Sequence, residues 1–552
     1  MRKAETILGI IRERGKRRLP LEQVYRQLHN PELYIRAYGK IAQNQGAMTP
    51  GSTGETVDGM TLNRINAIIE DLRAERYHWT PVRRVNIPKS NGKTRPLGVT
   101  TWRDKLLQEV LRAILESYYE PQFSDHSHGF RPGRGCHTAL EEIQATWLGT
   151  VWWVEGDISQ CFDRFDHQVL LDTLSEKIHD GRFIRLIANL LKAGYLEDWK
   201  FNRTLSGTPQ GAIVSPVLAN IYLDRLDQFI EQTLLPQYTR GKARRKNLTY
   251  QKLTNTALAL RKAGRFAEAE ALRPHYRQLP SQDPNDPNYR RLRFVRYADD
   301  ILLGFAGPRS EAKEIKQHLA IFLKDTLKLE LSESKTLITH TRTEQARFLG
   351  YTLSVFQTDS KCDDRRRRSI NGRIRLGIPL EVLRKKCRLY TQNGHPNHRA
   401  ERRFDTVFSI VSQYQSEYRG MVEYYRMAHN LGAFSQLRWV METSLLKTLA
   451  SKLRLTVNQV TRKYRAIIQT PAGPRKGFRV TVERAEGKKS LTATWGGISL
   501  KRNPHVRLND QPTHIWNVGT ELVKRLLGPA CRREAARAGN RLVLCRVRRY
   551  EE

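Results

Sequence analysis

Cysteine is scarce: the six in 552 residues, Cys136, Cys161, Cys362, Cys387, Cys531 and Cys545, form no Cys-x-x-Cys pair. That spacing excludes a disulfide framework and a zinc knuckle, and it predicts reduced, structural thiols and no zinc. No apolar run reaches the roughly 18 residues that span a bilayer, and Arg12-Glu13-Arg14 interrupts the N-terminus before any stretch of signal-peptide length. The chain is therefore expected to be soluble and intracellular, with no membrane partner. Acid is also in deficit, with 56 Asp+Glu against 95 Lys+Arg and a formal net charge of +39. On a chain that is 39% hydrophobic, this excludes a disordered tail and points to a polyanionic partner, nucleic acid first.

The charge is uneven. Residues 356–552 carry a net +25 and the first 355 a net +14, so the first part reads as a globular unit that touches nucleic acid and the second as one built to hold it. Asp363-Asp364-Arg365-Arg366-Arg367-Arg368-Ser369, with Gly372, Gly377 and Pro379 beyond, reads as a basic linker at 356–372. Upstream, short β-rich runs (Val85-Asn86-Ile87, and Val151 to Val154) alternate with helical spacing over 104–118 and 167–192, which predicts an α+β domain. Ser215-Pro216 has the form of an N-cap followed by proline at the first helical position, ahead of an apolar face of Val217, Leu218, Ile221, Tyr222 and Leu226. Residues 240–293 read as a basic helical insertion closed by the turn-rich 280–287. From 378 to 465 the spacing is helical throughout, and Tyr414, Tyr418, Met421 and Tyr425 share one stripe that suits a buried seam or a base-stacking platform. Residues 478–496 alternate about Glu486-Gly487-Lys488-Lys489, as a β-hairpin does, and 519–552 is rich in arginine.

The sharpest chemical signal is Phe294-Val295-Arg296-Tyr297-Ala298-Asp299-Asp300-Ile301-Leu302-Leu303, an acidic pair between two β-forming apolar runs. Adjacent carboxylates at a hairpin tip repel each other, and a divalent cation relieves the repulsion. A second apolar run, Val151 to Glu155-Gly156-Asp157-Ile158, ends on another aspartate. If both strands lie in one sheet, Asp157 and Asp299 face each other and share two Mg²⁺ ions about 4 Å apart, the arrangement for in-line attack on a phosphate. Lys89 and Arg95 bracket a glycine-containing turn, so two cations can reach a triphosphate. Phe162 lies five residues beyond Asp157, where ordinary core packing is the alternative to a ring that meets a sugar, and Gln210, between Pro209 and Gly211, has no bulky neighbour.

Tyr297-Ala298-Asp299-Asp300 resembles the YxDD hairpin of reverse transcriptases, and the surrounding blocks resemble those of bacterial group II intron-encoded reverse transcriptase/maturases in the family's order. These blocks are Ile87 to Gly98, Ser127 to Gly135, Asp157 to Asp163, Gly207 to Gly211, Leu329 to Thr336 and Phe348-Leu349-Gly350-Tyr351. The resemblance implies a right-hand polymerase: an N-terminal extension at 1–60, fingers and palm at 61–355, an all-α thumb (maturase domain X) at 373–465, and a DNA-binding region at 466–552. It implies catalysis by Asp157, Asp299 and Asp300, metal ligation by Asp157, Ile158 and Asp299, and nucleotide contacts from Lys89, Arg95, Phe162, Gln210 and Lys335. Template and primer contacts fall to Arg131, Arg134, Phe348, Leu349 and Gly350, and RNA contacts to Arg419, Lys447 and Lys452. The cofactor implied is Mg²⁺, with Mn²⁺ as a substitute. The partners implied are group II intron RNA, an RNA template with a DNA primer, a DNA target and deoxynucleoside triphosphates, in the bacterial cytoplasm. Many members end in an HNH endonuclease with paired Cys-x-x-Cys motifs. Here only Cys531 and Cys545 occur after the run-in at Glu521 and no histidine follows His514, so a degenerate remnant is expected. Two other readings remain open: an RNA-binding splicing factor with a non-essential polymerase, and a reverse transcriptase recruited to defence or diversity generation.

Overall fold

The structure is a computed structural model of the chain, and it describes all residues except 1, 43, 89–91, 93, 198–199, 203–206, 208–210, 284–285, 334, 359–360, 362–363, 365–369, 472, 485–489 and 509–552. Its centre is a four-stranded antiparallel sheet in the order Ile338–His340, Trp152–Asp157, Asp300–Ala306, Arg291–Tyr297. These strands alternate strictly and separate two hydrophobic cores. Val154, Phe294, Ile301, Leu303 and Phe305 face one core, while Trp153, Val295 and Leu302 face the other. Both faces are therefore covered, which accounts for near-continuous apolar runs on either side of the acidic pair.

The first core is helical and continues to the N-terminus. The Ala4–Lys16 helix lies against Trp102–Tyr119, so close that a Cβ on Gly15 would stand 2.1 Å from the Tyr118 carbonyl oxygen. Side chains of this N-terminal segment, among them Ala4, Leu28, Leu33 and Ile41, are buried in the same core. A second sheet pairs Val82–Pro88 with Thr94–Val99 on one edge and with Tyr195–Glu197 on the other, and Tyr195–Glu197 in turn pairs with Lys200–Asn202. The expected helix over 167–192 is two helices, His167–Ser175 and Gly181–Lys192, because Asp180 caps a new start by accepting from the Phe183 N–H. The helix expected after Ser215-Pro216 begins one residue earlier, with Val214 at the cap and Ser215 already inside; its apolar face is buried as expected. Helices Leu248–Lys262, Phe266–Ala271 and Arg273–Gln278 fill the basic insertion, whose ends are tied by paired backbone hydrogen bonds between Arg240 and Arg290.

The second core begins with a three-stranded antiparallel sheet of Ala346–Phe348, Tyr351–Val355 and Ile374–Gly377. The segment read as a linker leaves and re-enters this one sheet: Val355 pairs with Ile374, and Phe356 bonds the backbone of Arg373 and Gly372. Helices Leu380–Arg388, Val407–Tyr424, Phe434–Leu453 and Val457–Tyr464 follow, but the helical spacing is broken by a short hairpin pairing Thr391–Gln392 with His395–Pro396. Tyr414, Tyr418 and Tyr425 are buried, so the tyrosine stripe is a seam. The expected hairpin pairs Arg475–Val482 with Leu491–Gly496, and it delivers Trp495 into that seam, 5.5 Å from the Tyr418 ring and donating its indole N–H to Glu442. Among the described residues no helix is long and apolar enough to cross a membrane.

Candidate active site

Register brings the acids together. Asp157 is the last residue of its strand and pairs directly with Asp300, the first of the neighbouring strand, while Tyr297 pairs with Asp300 from the other side. Ala298 and Asp299 are left as the two-residue tip, and Ala298 takes a left-handed φ of 56°. Close approach is allowed by glycine: a Cβ on Gly156 would meet Ile301 at 2.4 Å, and one on Gly129 would meet the Ala298 nitrogen at 2.3 Å.

The tip is held from beneath by Arg296, which the sequence analysis assigned no role. Its guanidinium is fully buried, pairs with the equally buried Asp227 through Nε (2.7 Å) and Nη2 (2.6 Å), and donates to Asn220 Oδ1, Ser127 Oγ and, at 2.9 Å, the Ala298 carbonyl. The signal was present as a charge inside an apolar strand, which cannot be buried without a partner. That partner, 69 residues away on the Ser215–Phe229 helix, is a matter of tertiary packing.

Electrostatics at the tip favour a cation. Burial raises the pKa of Asp299, with Asp157 adding to the shift, while Arg95 and Lys335 oppose it. Asp300 is pushed up to about 6 by burial and then by Asp299 and Asp157. The buried Cys161 thiol is raised as well, by desolvation and the field of Asp299. Lys335 Nζ contacts both oxygens of Asp157, at 3.1 and 2.9 Å. Among the described residues no three His, Cys, Asp or Glu side chains converge tightly enough to form a ready-made metal site. The donor set nevertheless suits a hard divalent ion: carboxylates that raise one another's pKa lose that penalty when a cation is shared. Asp157, Asp299 and the adjoining residue Ile158 are the residues that could hold it.

Around the acids, Phe162 stands on the short Cys161–Arg164 helix with its ring 6.2 Å from Phe130 and 5.8 Å from Phe165. Arg95 lies on the Thr94–Val99 strand opposite Ile87. Lys89 and Gln210 lie outside the described residues. The ends of the segment carrying Gln210 are nonetheless pinned. Gly207, φ 83°, leaves no room for a Cβ beside the Phe162 and Asp163 carbonyls, and Gly211, φ 100°, packs on Leu97 and Gly98. Gly207 is thereby drawn to Phe162, and Gly211 to the strand that carries Arg95.

Other candidates lie elsewhere. Arg131 is buried, with its guanidinium on Glu120 and on the Ser127 carbonyl at 2.7 Å; Arg134 pairs with Asp125. Both arginines brace their own loop. Leu349 and Gly350 form the two-residue turn between Phe348 and Tyr351. Arg419 is exposed, whereas Lys447 and Lys452 donate to the carbonyls of Pro396 and Arg403.

Comparison with known proteins agrees with this geometry. Residues 87–353 match the family described as reverse transcriptase (RNA-dependent DNA polymerase), and residues 380–490 match the type II intron maturase family. The group II intron-encoded protein LtrA of Lactococcus lactis subsp. cremoris is 40% identical over 455 residues, which cover 79% of this chain and 76% of that protein. The chain belongs to the group II intron-encoded reverse transcriptases. A 91 kDa protein in the cob intron of Schizosaccharomyces pombe is 38% identical over 439 residues, 78% of this chain and 54% of that protein. Nuclear intron maturase 2 of Arabidopsis thaliana mitochondria is 25% identical over 377 residues, 58% of this chain and 49% of that protein. This group II intron-encoded reverse transcriptase is thus an RNA-directed DNA polymerase with an intron maturase domain, and the acidic tip lies inside the polymerase match. Reverse transcriptases use divalent metal ions, which agrees with the donor set at that tip.

Proposed function

We propose that this reverse transcriptase is a right-hand polymerase that copies its intron RNA into DNA and, as a maturase, binds that RNA to support splicing and mobility. In this reading the fingers and palm occupy 61–355 with an insertion at 240–293, the thumb 373–465, and a DNA-binding region follows from 466. The observation that carries it is the strand register that sets Asp157 opposite Asp300 with Asp299 at the tip between them.

Two Mg²⁺ ions held by Asp157, Asp299 and the Ile158 carbonyl would supply activation of a primer 3′-hydroxyl and neutralisation of charge on the leaving pyrophosphate. The protein's own part is to place the substrates. Lys89 and Arg95 receive the triphosphate, Phe162 closes the space beneath the sugar so that deoxynucleotides are preferred, and Gln210 lies against the nascent pair. Lys335, whose ammonium contacts Asp157, would follow the charge that develops on pyrophosphate. Phe348, Leu349 and Gly350 seat the primer end, Arg131 and Arg134 brace the loop behind the tip, and Arg419, Lys447 and Lys452 belong to the RNA-facing part of domain X.

Asp299→Ala tests the reading. Primer extension on an RNA template should be abolished, while affinity for intron RNA stays within a few fold and splicing support persists, because a metal ligand and not a contact surface has been removed. Undiminished extension by this variant would overturn the assignment.

A further inference from the structure

We propose that Tyr424 and Tyr425, inside the maturase match, are positioning residues for DNA synthesis: their hydroxyls hold the Leu349–Gly350 turn in the shape that seats a primer end. The proposal rests on the polymerase reading above and deepens it.

The turn needs holding. Phe348 and Tyr351 are paired in register, so Leu349 and Gly350 alone close the hairpin, with φ values of 47° and 73°. Two positive φ values match the twist of a two-residue hairpin, but an L side chain is strained there, and leucine lacks the local hydrogen bonding that lets asparagine tolerate it. The two orphan carbonyls of the turn are each met by a tyrosine. Tyr424 Oη donates to the Leu349 carbonyl at 2.9 Å and Tyr425 Oη to the Gly350 carbonyl at 3.0 Å. The fit is close, since a Cβ on Gly350 would stand 3.4 Å from both tyrosine hydroxyls.

The clamp is reciprocal. Tyr424 ends the Val407–Tyr424 helix, and its carbonyl, free of helical duty, accepts from the Tyr351 hydroxyl and from His137 Nε2 at 2.7 Å. His137 belongs to the Cys136–Thr146 helix, which packs against the Arg291–Tyr297 strand of the catalytic hairpin. One run of contacts therefore links the acidic tip, the helix beneath it, the end of the maturase helix and the turn. The rings of Tyr351, Tyr424 and Tyr425, with centroids 5.0 to 6.1 Å apart, supply packing that phenylalanine would preserve. Removing the hydroxyls alone therefore tests their bonds to the turn separately from the packing.

The experiment is single-nucleotide addition by the full-length protein carrying Tyr424→Phe and Tyr425→Phe, with primer–template and deoxynucleotide varied separately. Loss of two hydrogen bonds to the turn should raise KM for primer–template by about tenfold, with kcat and the nucleotide KM within about twofold of wild type. The thermal midpoint and the affinity for intron RNA should not change. An unaltered primer–template KM overturns the proposal, as does a parallel change in both KM values and kcat accompanied by lower thermal stability, which would mean the hydroxyls serve only general packing. Wild type and Asp299→Ala are run alongside: extension by Asp299→Ala, or none by wild type, would strike the polymerase reading itself.

Discussion

At the scale of single residues, the site depends on side chains whose surroundings give an ordinary group a specific task. Phe162 is one. Its ring is backed by Phe130 and Phe165, so if it closes the space beneath the sugar, as proposed, it cannot retreat from a 2′-hydroxyl without displacing two aromatic neighbours. Phe162→Val should therefore admit ribonucleotides, lowering the ratio of kcat/KM for dNTP over rNTP by about tenfold or more, as expected when a few methylene-sized groups decide a clash. An unchanged ratio would reduce the ring to packing. Arg296 is the other. Replacing it by Met leaves Asp227 charged and unpaired in the core, which should cost about 3–5 kcal/mol, whereas replacing both partners by apolar residues should cost less than the sum of the two single changes. Denaturant unfolding of the four species measures this, and additive losses would show that the pair does not act as a unit.

At the scale of elements, the junction between the Ile374–Gly377 strand and the helical second core should respond to pH. His429 Nδ1 accepts from the Leu376 N–H at 3.2 Å, and its pKa is lowered to about 4, first by burial and then by Arg502, Arg375 and Lys361. A histidine with a folded pKa below its unfolded value of about 6.5 binds its proton preferentially in the unfolded chain. Its contribution is whole above that unfolded value and fades as pH falls toward 4. Discounted for its partial exposure, the loss between pH 7 and pH 5 should be about 1 kcal/mol, and His429→Asn should flatten that part of the stability profile. Glu417, lowered to about 2 against burial by Tyr390, Gln413 and Lys386, loses its contribution only below its ordinary range of about 4.5, so the two groups separate on a pH titration of thermal stability.

For the whole molecule, the chain carries a net charge of +39, and the described residues divide their apolar side chains between two cores on either side of the central sheet. If that surplus forms a footprint for polyanions that neutralises roughly 6–10 phosphates, raising salt from 50 to 200 mM should weaken duplex binding on the order of 10³-fold. Filter binding across a salt series measures the slope, and a nearly flat line would mean that the charge is dispersed. The maturase helices share their core with Trp153, Val295 and Leu302 of the catalytic sheet. Large-to-small changes in that shared core, such as Leu302→Ala, should thus destabilise both modules together.

Much of this was legible in the sequence because local chemistry announced it. The apolar runs on both sides of Asp299-Asp300 and the hairpin spacing at 478–496 each follow from periodicity. The motif order also identified the family that the comparisons bear out. Other features could not be read, because they depend on partners distant in the chain. Arg296 finds Asp227, Tyr424 and Tyr425 find a turn about 75 residues upstream, and Arg131, expected from the resemblance to meet template or primer, is turned inward onto Glu120. The linker read from a run of arginines starts and ends in one sheet because Val355 pairs with Ile374, a pairing that charge pattern does not encode. Sequence sets which residues must be buried or turned; only packing decides which distant group satisfies each buried donor, acceptor or charge.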